Sequence, residues 1–221
     1  PLPPQAMAAT PLAPGGIVNA IARRAPVGVV ACITPYNFPI VNMAGKLGPA
    51  LAMGNTVVVK PAPQDPLAVL ELVEILHEAG FPDGVVNVVT GSTPETGEAL
   101  LAPPDEDMVS FTGSTAVGLR IAETGARTLK RMLLELGGKG AALVLDDADV
   151  ANAVRMIGST FTFHSGQICT APTRALVHRS RFDEVVTGLA QMAAALPVGD
   201  PFDPKTVVGP VVSAVQRDRI E

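Results

Sequence analysis

The stretch VGVVACITPYNFPIVNMAGKLGPALAMGNTVVVK, Val27 to Lys60, decides the fold. It opens on an apolar, β-branched run at 27–33 that reads as a buried strand, and the run stops where Pro35 and Pro39 block regular structure. Residues 40–53 then carry apolar side chains at helical spacing and close on Gly54-Asn55, a helix end. A second β-branched run follows at 56–60. Strand, helix and strand at this spacing form a parallel crossover unit, because parallel strands need a long connection that a helix supplies.

The same rhythm continues downstream. Residues 67–79 are amphipathic, with Glu71, Glu74 and Glu78 facing outward and Gly80 as the stop. Strands are predicted at 85–89, 108–111 and 132–136, with helices at 96–101 and 117–124. The expected fold is therefore α/β, a doubly wound parallel sheet of Rossmann-like type spanning 26–140. From 141 the pattern restarts with a strand at 141–145, a helix at 149–163 begun by Asp146-Asp147, a strand at 174–178 and a helix at 181–196. Residues 141–221 read as the beginning of a second α/β domain. Residues 1–25 are Pro- and Ala-rich and then loosely alternating, an extended arm without a core.

Composition agrees with a Val- and Ala-rich parallel sheet flanked by helices: of 221 residues, 48% are hydrophobic, 17% charged and only 4% aromatic. A net charge of -5, with no basic block beyond Arg23-Arg24 and Lys130-Arg131, argues against a nucleic-acid partner. The uncharged stretch 25–45 has membrane length, but Pro26, Pro35, Asn37, Pro39 and Asn42 interrupt it, and no membrane association is expected. Cys32 and Cys169, without an apolar leader, are expected to be free thiols in a reducing, cytoplasmic compartment. His77, His164 and His178 show no metal spacing with them, so no metal is expected. The chain opens on Pro1 and stops inside a polar, helical-looking stretch at 213–220, as expected of a piece of a longer protein.

In a doubly wound sheet, ligands bind beyond the carboxyl ends of the strands. Asn37, Lys60, Gly91, Ser114 and Glu135 each lie at or just past such an end and can share one crevice. Gly113 to Gly118 are spaced G-x-x-x-x-G, which is neither the dinucleotide fingerprint nor a P-loop. A pyrophosphate site at a helix N-terminus and a plain turn capped by Ser114 fit this loop equally. Lys60 either reaches ribose hydroxyls or phosphate, or snorkels to solvent. Asn37 either donates its amide to a developing oxyanion or closes an Asx-turn.

Cys169 follows Gly166-Gln167-Ile168, where a glycine lets the backbone turn and Gln167 brings polarity beside the sulfur. A thiolate attacks a carbonyl carbon, and this needs exposure. Glu135, in LELGGK at 134–139, can supply a base beside a glycine pair that ends an apolar strand. A small buried hydrophobe and a surface charge are the plain alternatives for these two residues.

Five segments, ITPYNFP at 33–39, VKPA at 59–62, FTGST at 111–115, LELGGK at 134–139 and GQIC at 166–169, occur in the order in which they occur in NAD(P)-dependent aldehyde dehydrogenases, and the chain resembles that superfamily from about residue 25 to its end. The resemblance implies oxidation of an aldehyde to a carboxylic acid with NAD or NADP. Cys169 is then the nucleophile, Asn37 and the Cys169 backbone N–H hold the oxyanion, and Glu135 activates water against the thioester. Lys60 and Ser114 hold the cofactor's ribose and pyrophosphate, with Thr34, Pro35, Gly91, Gly113 and Leu136 completing its site. Residues 26–140 would be the incomplete cofactor domain and 141–221 the start of the catalytic domain. The arm is similar to the family's oligomerisation segment, which implies a homo-oligomer.

Three positions depart from the family pattern. Pro63 stands where many NAD-preferring members have glutamate, which leaves NADP open. Tyr36 stands where tryptophan is frequent and His164 where asparagine is, and both are expected to tune packing. Two further readings accompany the resemblance: an acylating enzyme that passes the acyl group to coenzyme A, against which Glu135 speaks, and a non-catalytic cofactor-binding scaffold.

Overall fold

Apolar runs bounded by proline and glycine become the strands of a parallel sheet in the computed structural model, which describes residues 4–6, 10–12, 16–18, 20–102 and 104–221. The chain divides into two compact units, Pro1–Glu135 and Leu136–Glu221.

The first unit is built on a five-stranded sheet of β5 (Val29–Ile33), β6 (Thr56–Lys60), β7 (Val86–Val88), β8 (Met108–Gly113) and β9 (Arg131–Leu136), in the order β7-β6-β5-β8-β9. The pairings of β5 with β6, β5 with β8 and β6 with β7 are parallel, with Val29 opposite Thr56 and Val30 opposite Met108. Helices α1 (Pro39–Ala52), α2 (Leu67–Glu78), α3 (Pro94–Ala99) and α4 (Thr115–Ala126) make the connections. The first strand in sequence is thus the central one, and the order reverses between β5 and β8. Such a reversal opens a crevice at the strand ends, where ligands of doubly wound sheets bind.

Val30, Cys32, Val57 and Val59 of the sheet pack on Met43 and Leu47 of α1 and Val69 of α2. The entry to β5 is pinned by two side chains. Asn55 Oδ1 accepts from the backbone N–H groups of Val27 (2.7 Å) and Gly28 (3.1 Å), while its amide donates to Ala50 O at 2.8 Å. Asp107 Oδ2 accepts from Val29 N at 2.8 Å, and Gly28, at φ 122°, leaves no room for a Cβ beside that carboxylate. These bonds satisfy backbone donors at the edge of the core, where an unpaired one would be costly.

Ahead of the sheet, β1 (Gln5–Ala6) pairs antiparallel with β4 (Ile21–Ala22), and β2 (Thr10–Leu12) with β3 (Gly16–Val18). The expected extended arm therefore doubles back into nested ladders, because its loose alternation finds partners within the arm itself. Residues 1–3, 7–9, 13–15 and 19 of that arm lie outside the described residues.

In the second unit β10 (Ala141–Val144) pairs in parallel with β11 (Arg174–Val177), covered by α5 (Val150–Thr162) and α6 (Phe182–Ala195); α7 (Ala214–Ile220) follows. Its core is Val144, Val150, Ile157 and Val185. The start of α5 differs from expectation. Asp149, not Asp146-Asp147, caps it by accepting from Asn152 N at 3.0 Å, since residues 145–148 form a turn closed by Ala148 N to Leu145 O. Among the described residues no helix is long and apolar enough to cross a membrane.

Candidate active site

The carboxyl ends of β5, β6 and β8 gather most of the expected site residues on one rim. Thr34 prolongs the ladder by donating its N–H to Lys60 O at 3.2 Å, and its buried hydroxyl has no hydrogen-bond partner among the described residues. Pro35 and Asn37 follow, half-buried, in the bend before α1. That bend is held at its far end by Asn42, whose backbone and side-chain N–H groups both donate to Phe38 O at 2.9 Å.

Lys60 resolves one of the sequence alternatives. It is only 8% exposed, and its Nζ makes a long 3.4 Å bond to Pro61 O, so the ammonium does not snorkel into water. Burial lowers its pKa. A buried cation with so weak a partner favours an incoming anion or hydroxyl.

Beyond β6 and β7 lies a cavity of about 220 Å³ walled by Pro61, Ala62, Pro63 and Pro66 on one side and by Thr90, Gly91 and Ser92 on the other. Gly91 is required there because a Cβ would collide with the Thr96 hydroxyl. No carboxylate lines this cavity. The nearest acid along the chain, Asp65, is pushed up to about 6 by burial and stands outside the lining.

At the end of β8, a Cβ on Gly113 would strike the Phe111 ring, so the backbone stays bare in front of α4. Ser114 caps that helix by accepting from Val117 N at 3.4 Å. The cap occupies an acceptor lone pair and leaves the hydroxyl proton available, so the observed capping role does not exclude the pyrophosphate site. The buried Lys60 ammonium, the α4 N-terminus and the side-chain-free approach at Gly113 fit the phosphates and ribose of a dinucleotide.

Glu135 lies exposed near the end of β9, and a residue that sequence reasoning passed over accompanies it. Lys46, the lone charge in α1, is 7% exposed and donates to Ser110 Oγ at 3.1 Å. Burial lowers its pKa, while Cys32 and Glu135 pull it back up. One lysine in an otherwise uncharged helix was the available signal, since a cation is not buried without a partner.

The second unit carries Leu136, half-buried at the end of β9, and Cys169. Gly137 and Gly138 follow Leu136 with open space beside both, so neither is demanded by packing. Cys169 is exposed, whereas Cys32 is fully buried and burial pushes its thiol up to about 11, with Lys46 opposing. The plain alternative of a small buried hydrophobe thus belongs to Cys32. The approach to Cys169 is unusual backbone: His164 (φ 53°), Ser165 (φ 55°) and Gly166 (φ 75°) are all left-handed. Each such non-glycine residue costs about 1–2 kcal/mol. Histidine, like asparagine, is enriched in this conformation, so the departure to histidine at 164 is compatible with the left-handed backbone observed there. Gln167 turns its amide onto His164 O and Val212 N rather than merely lending polarity to the sulfur.

At pH 8 about a thousandth of a thiol with the pKa of Cys32 is ionised. Iodoacetamide is expected to alkylate Cys169 in the native protein and to reach Cys32 only after unfolding. Peptide mass spectrometry checks this, and equal modification of both would contradict the assignment. Among the described residues no group of three His, Cys, Asp or Glu is arranged to hold a metal.

The aldehyde dehydrogenase family profile matches residues 7–221. The mitochondrial aldehyde dehydrogenase of Leishmania tarentolae is 46% identical over 201 residues, covering 90% of this chain and 40% of that protein. Aldehyde dehydrogenase from Mycobacterium tuberculosis, solved in complex with NAD+, superposes with a TM-score of 0.89 at 43% identity over 96% of this chain and 43% of its own. A mutant of aldehyde dehydrogenase C from Pseudomonas syringae, solved with NAD+ and octanal, gives 0.88 at 44% identity over 90% of this chain and 41% of its own. This chain spans about 40% of the length of such relatives. A match along nearly all of its residues, in sequence and in backbone, places the chain in the aldehyde dehydrogenase family.

Proposed function

We propose that the enzyme carrying this chain oxidises an aldehyde to a carboxylic acid with NAD or NADP, through a covalent intermediate on Cys169. The observation that carries this reading is the contrast between the two thiols: the one in the family's GQIC segment is exposed and the other is sealed in the sheet.

The Cys169 thiolate attacks the carbonyl carbon, a C–S bond forms, and the π pair moves to oxygen. Asn37 and the Cys169 backbone N–H donate to that oxyanion. When bound, the nicotinamide supplies the acceptor for the hydride that leaves this carbon. Cys169 then carries the acyl group as a thioester. Glu135 takes a proton from water, the water oxygen attacks the thioester, and the C–S bond breaks to return the thiolate and release the acid. Lys60, Ser114, Thr34, Pro35, Gly91, Gly113 and Leu136 orient the cofactor. As part of the same proposal, the complete enzyme is a homo-oligomer joined through the arm, in a cytoplasmic, reducing compartment that keeps both thiols free.

The test is a panel of aldehydes offered with NAD and NADP side by side; acid formed in equal amount with reduced cofactor supports the reading, and no reduced cofactor from any aldehyde overturns it. The carboxylate-free cavity at Pro63 adds a second expectation. Pro63→Glu is expected to lower kcat/KM for NADP by about tenfold to a hundredfold, because a carboxylate a few ångströms from the 2′-phosphate repels it by a few kcal/mol. The value for NAD should stay within about threefold, as a neutral ribose feels no such repulsion. Equal losses with both cofactors would place Pro63 away from the ribose.

A further inference from the structure

The loop that delivers Cys169 departs from its helix in a way that the local sequence alone does not maintain. After α5 ends at Thr162, three successive residues, His164, Ser165 and Gly166, take left-handed backbone. Only the last is a glycine. Such a run persists where surrounding bonds over-determine it. Those bonds are present and converge on a segment more than forty residues downstream. Ser165 Oγ donates to Gly209 O at 2.8 Å. Gln167 Oε1 accepts from Val212 N at 3.0 Å, and its Nε2 donates back to His164 O at 3.2 Å. The backbone closes the same turn through Gln167 N to His164 O at 3.1 Å.

We propose that Ser165 and Gln167 form a clasp that positions the Cys169 thiol, fastening the left-handed loop to the 209–212 segment. They are positioning residues: the side-chain bonds described for them run to backbone. The amide of Gln167 suits the task because one group both donates and accepts, which spans the two backbones; a carboxylate or a thioether of similar length does one or neither. The clasp rests on the nucleophile assigned to Cys169 above.

Placing a thiol and activating it have different consequences. Loosening the loop shifts the sulfur relative to the oxyanion donors, and a misplacement of about 1 Å costs up to roughly a hundredfold in turnover. An exposed thiol remains equally open to a small reagent. In the intact enzyme, Gln167→Met and Ser165→Ala are each expected to lower kcat by about tenfold to a hundredfold. KM for the cofactor and the rate of iodoacetamide alkylation at Cys169 should stay within about threefold of wild type, as a shift of the sulfur alters its aim at a bound substrate and not its exposure. Ser165→Gly, which relieves the left-handed strain but lacks the hydroxyl, should be as slow as Ser165→Ala. Should Gln167→Met fail to fold, the two Ser165 variants carry the test. A folded variant set with wild-type kcat overturns the clasp, as does an alkylation rate that falls in step with kcat, which would make these residues activators of the thiol. Full activity in Cys169→Ala would instead remove the nucleophile, and the clasp's purpose with it.

Discussion

Alanine at Cys169 is expected to lower aldehyde turnover by about 10⁴-fold or more, the scale on which removal of a covalent nucleophile is felt. The size follows from the lack of a substitute thiol within this chain. Cys32 is the other cysteine of the chain, and it is fully buried with its thiol pushed up to about 11. Cofactor affinity should be unchanged, because the bond described for the buried Lys60 ammonium runs to Pro61 O and the bare turn at Gly113 packs on Phe111, without the Cys169 side chain. The measurement is steady-state reduction of NAD or NADP together with a cofactor titration on the same protein. Turnover within tenfold of wild type would reject covalent catalysis by Cys169, whereas loss of both turnover and cofactor binding would point to a misfolded variant, which a thermal melt identifies.

How much of this was legible in the residues depends on what kind of signal each feature leaves. Strands of a buried parallel sheet announce themselves as β-branched runs, and the run at 56–60 has the boundaries that β6 takes. The rim followed from a rule about sheets, since Asn37, Lys60 and Ser114 share no local pattern. The cap of α5 is not legible from sequence, because three aspartates lie at 146, 147 and 149 and only the observed turn chooses among them. Ser165 left no signal of its left-handed backbone, being neither glycine nor asparagine. The bond from Val212 N to Gln167 Oε1 joins positions far apart in sequence, and a half-buried glutamine in a loop carries no periodicity. Lys46 was different: its isolation among apolar neighbours was visible, and the physical rule against burying an unpaired cation would have marked it.

Glu135→Gln is expected to separate the two halves of the reaction. The amide cannot take a proton from water, so hydrolysis of the thioester should slow by about 10²–10⁴-fold, the usual range for loss of a general base. Attack by Cys169 and loss of hydride do not require Glu135 in the proposed sequence. One equivalent of reduced cofactor should therefore appear rapidly per active site and then stall, with the acyl group detectable on the Cys169 peptide by mass spectrometry. The exposed position of Glu135 near the end of β9 leaves its carboxylate open to water, as a water-activating base requires. Adding coenzyme A to the stalled enzyme distinguishes the acylating alternative. If a coenzyme A thioester forms and turnover resumes at the wild-type rate, the acyl acceptor is a thiol and Glu135 is not the base. If the burst itself disappears, Glu135 acts before the thioester, on the thiol of Cys169, and the order of proton transfers proposed here is wrong.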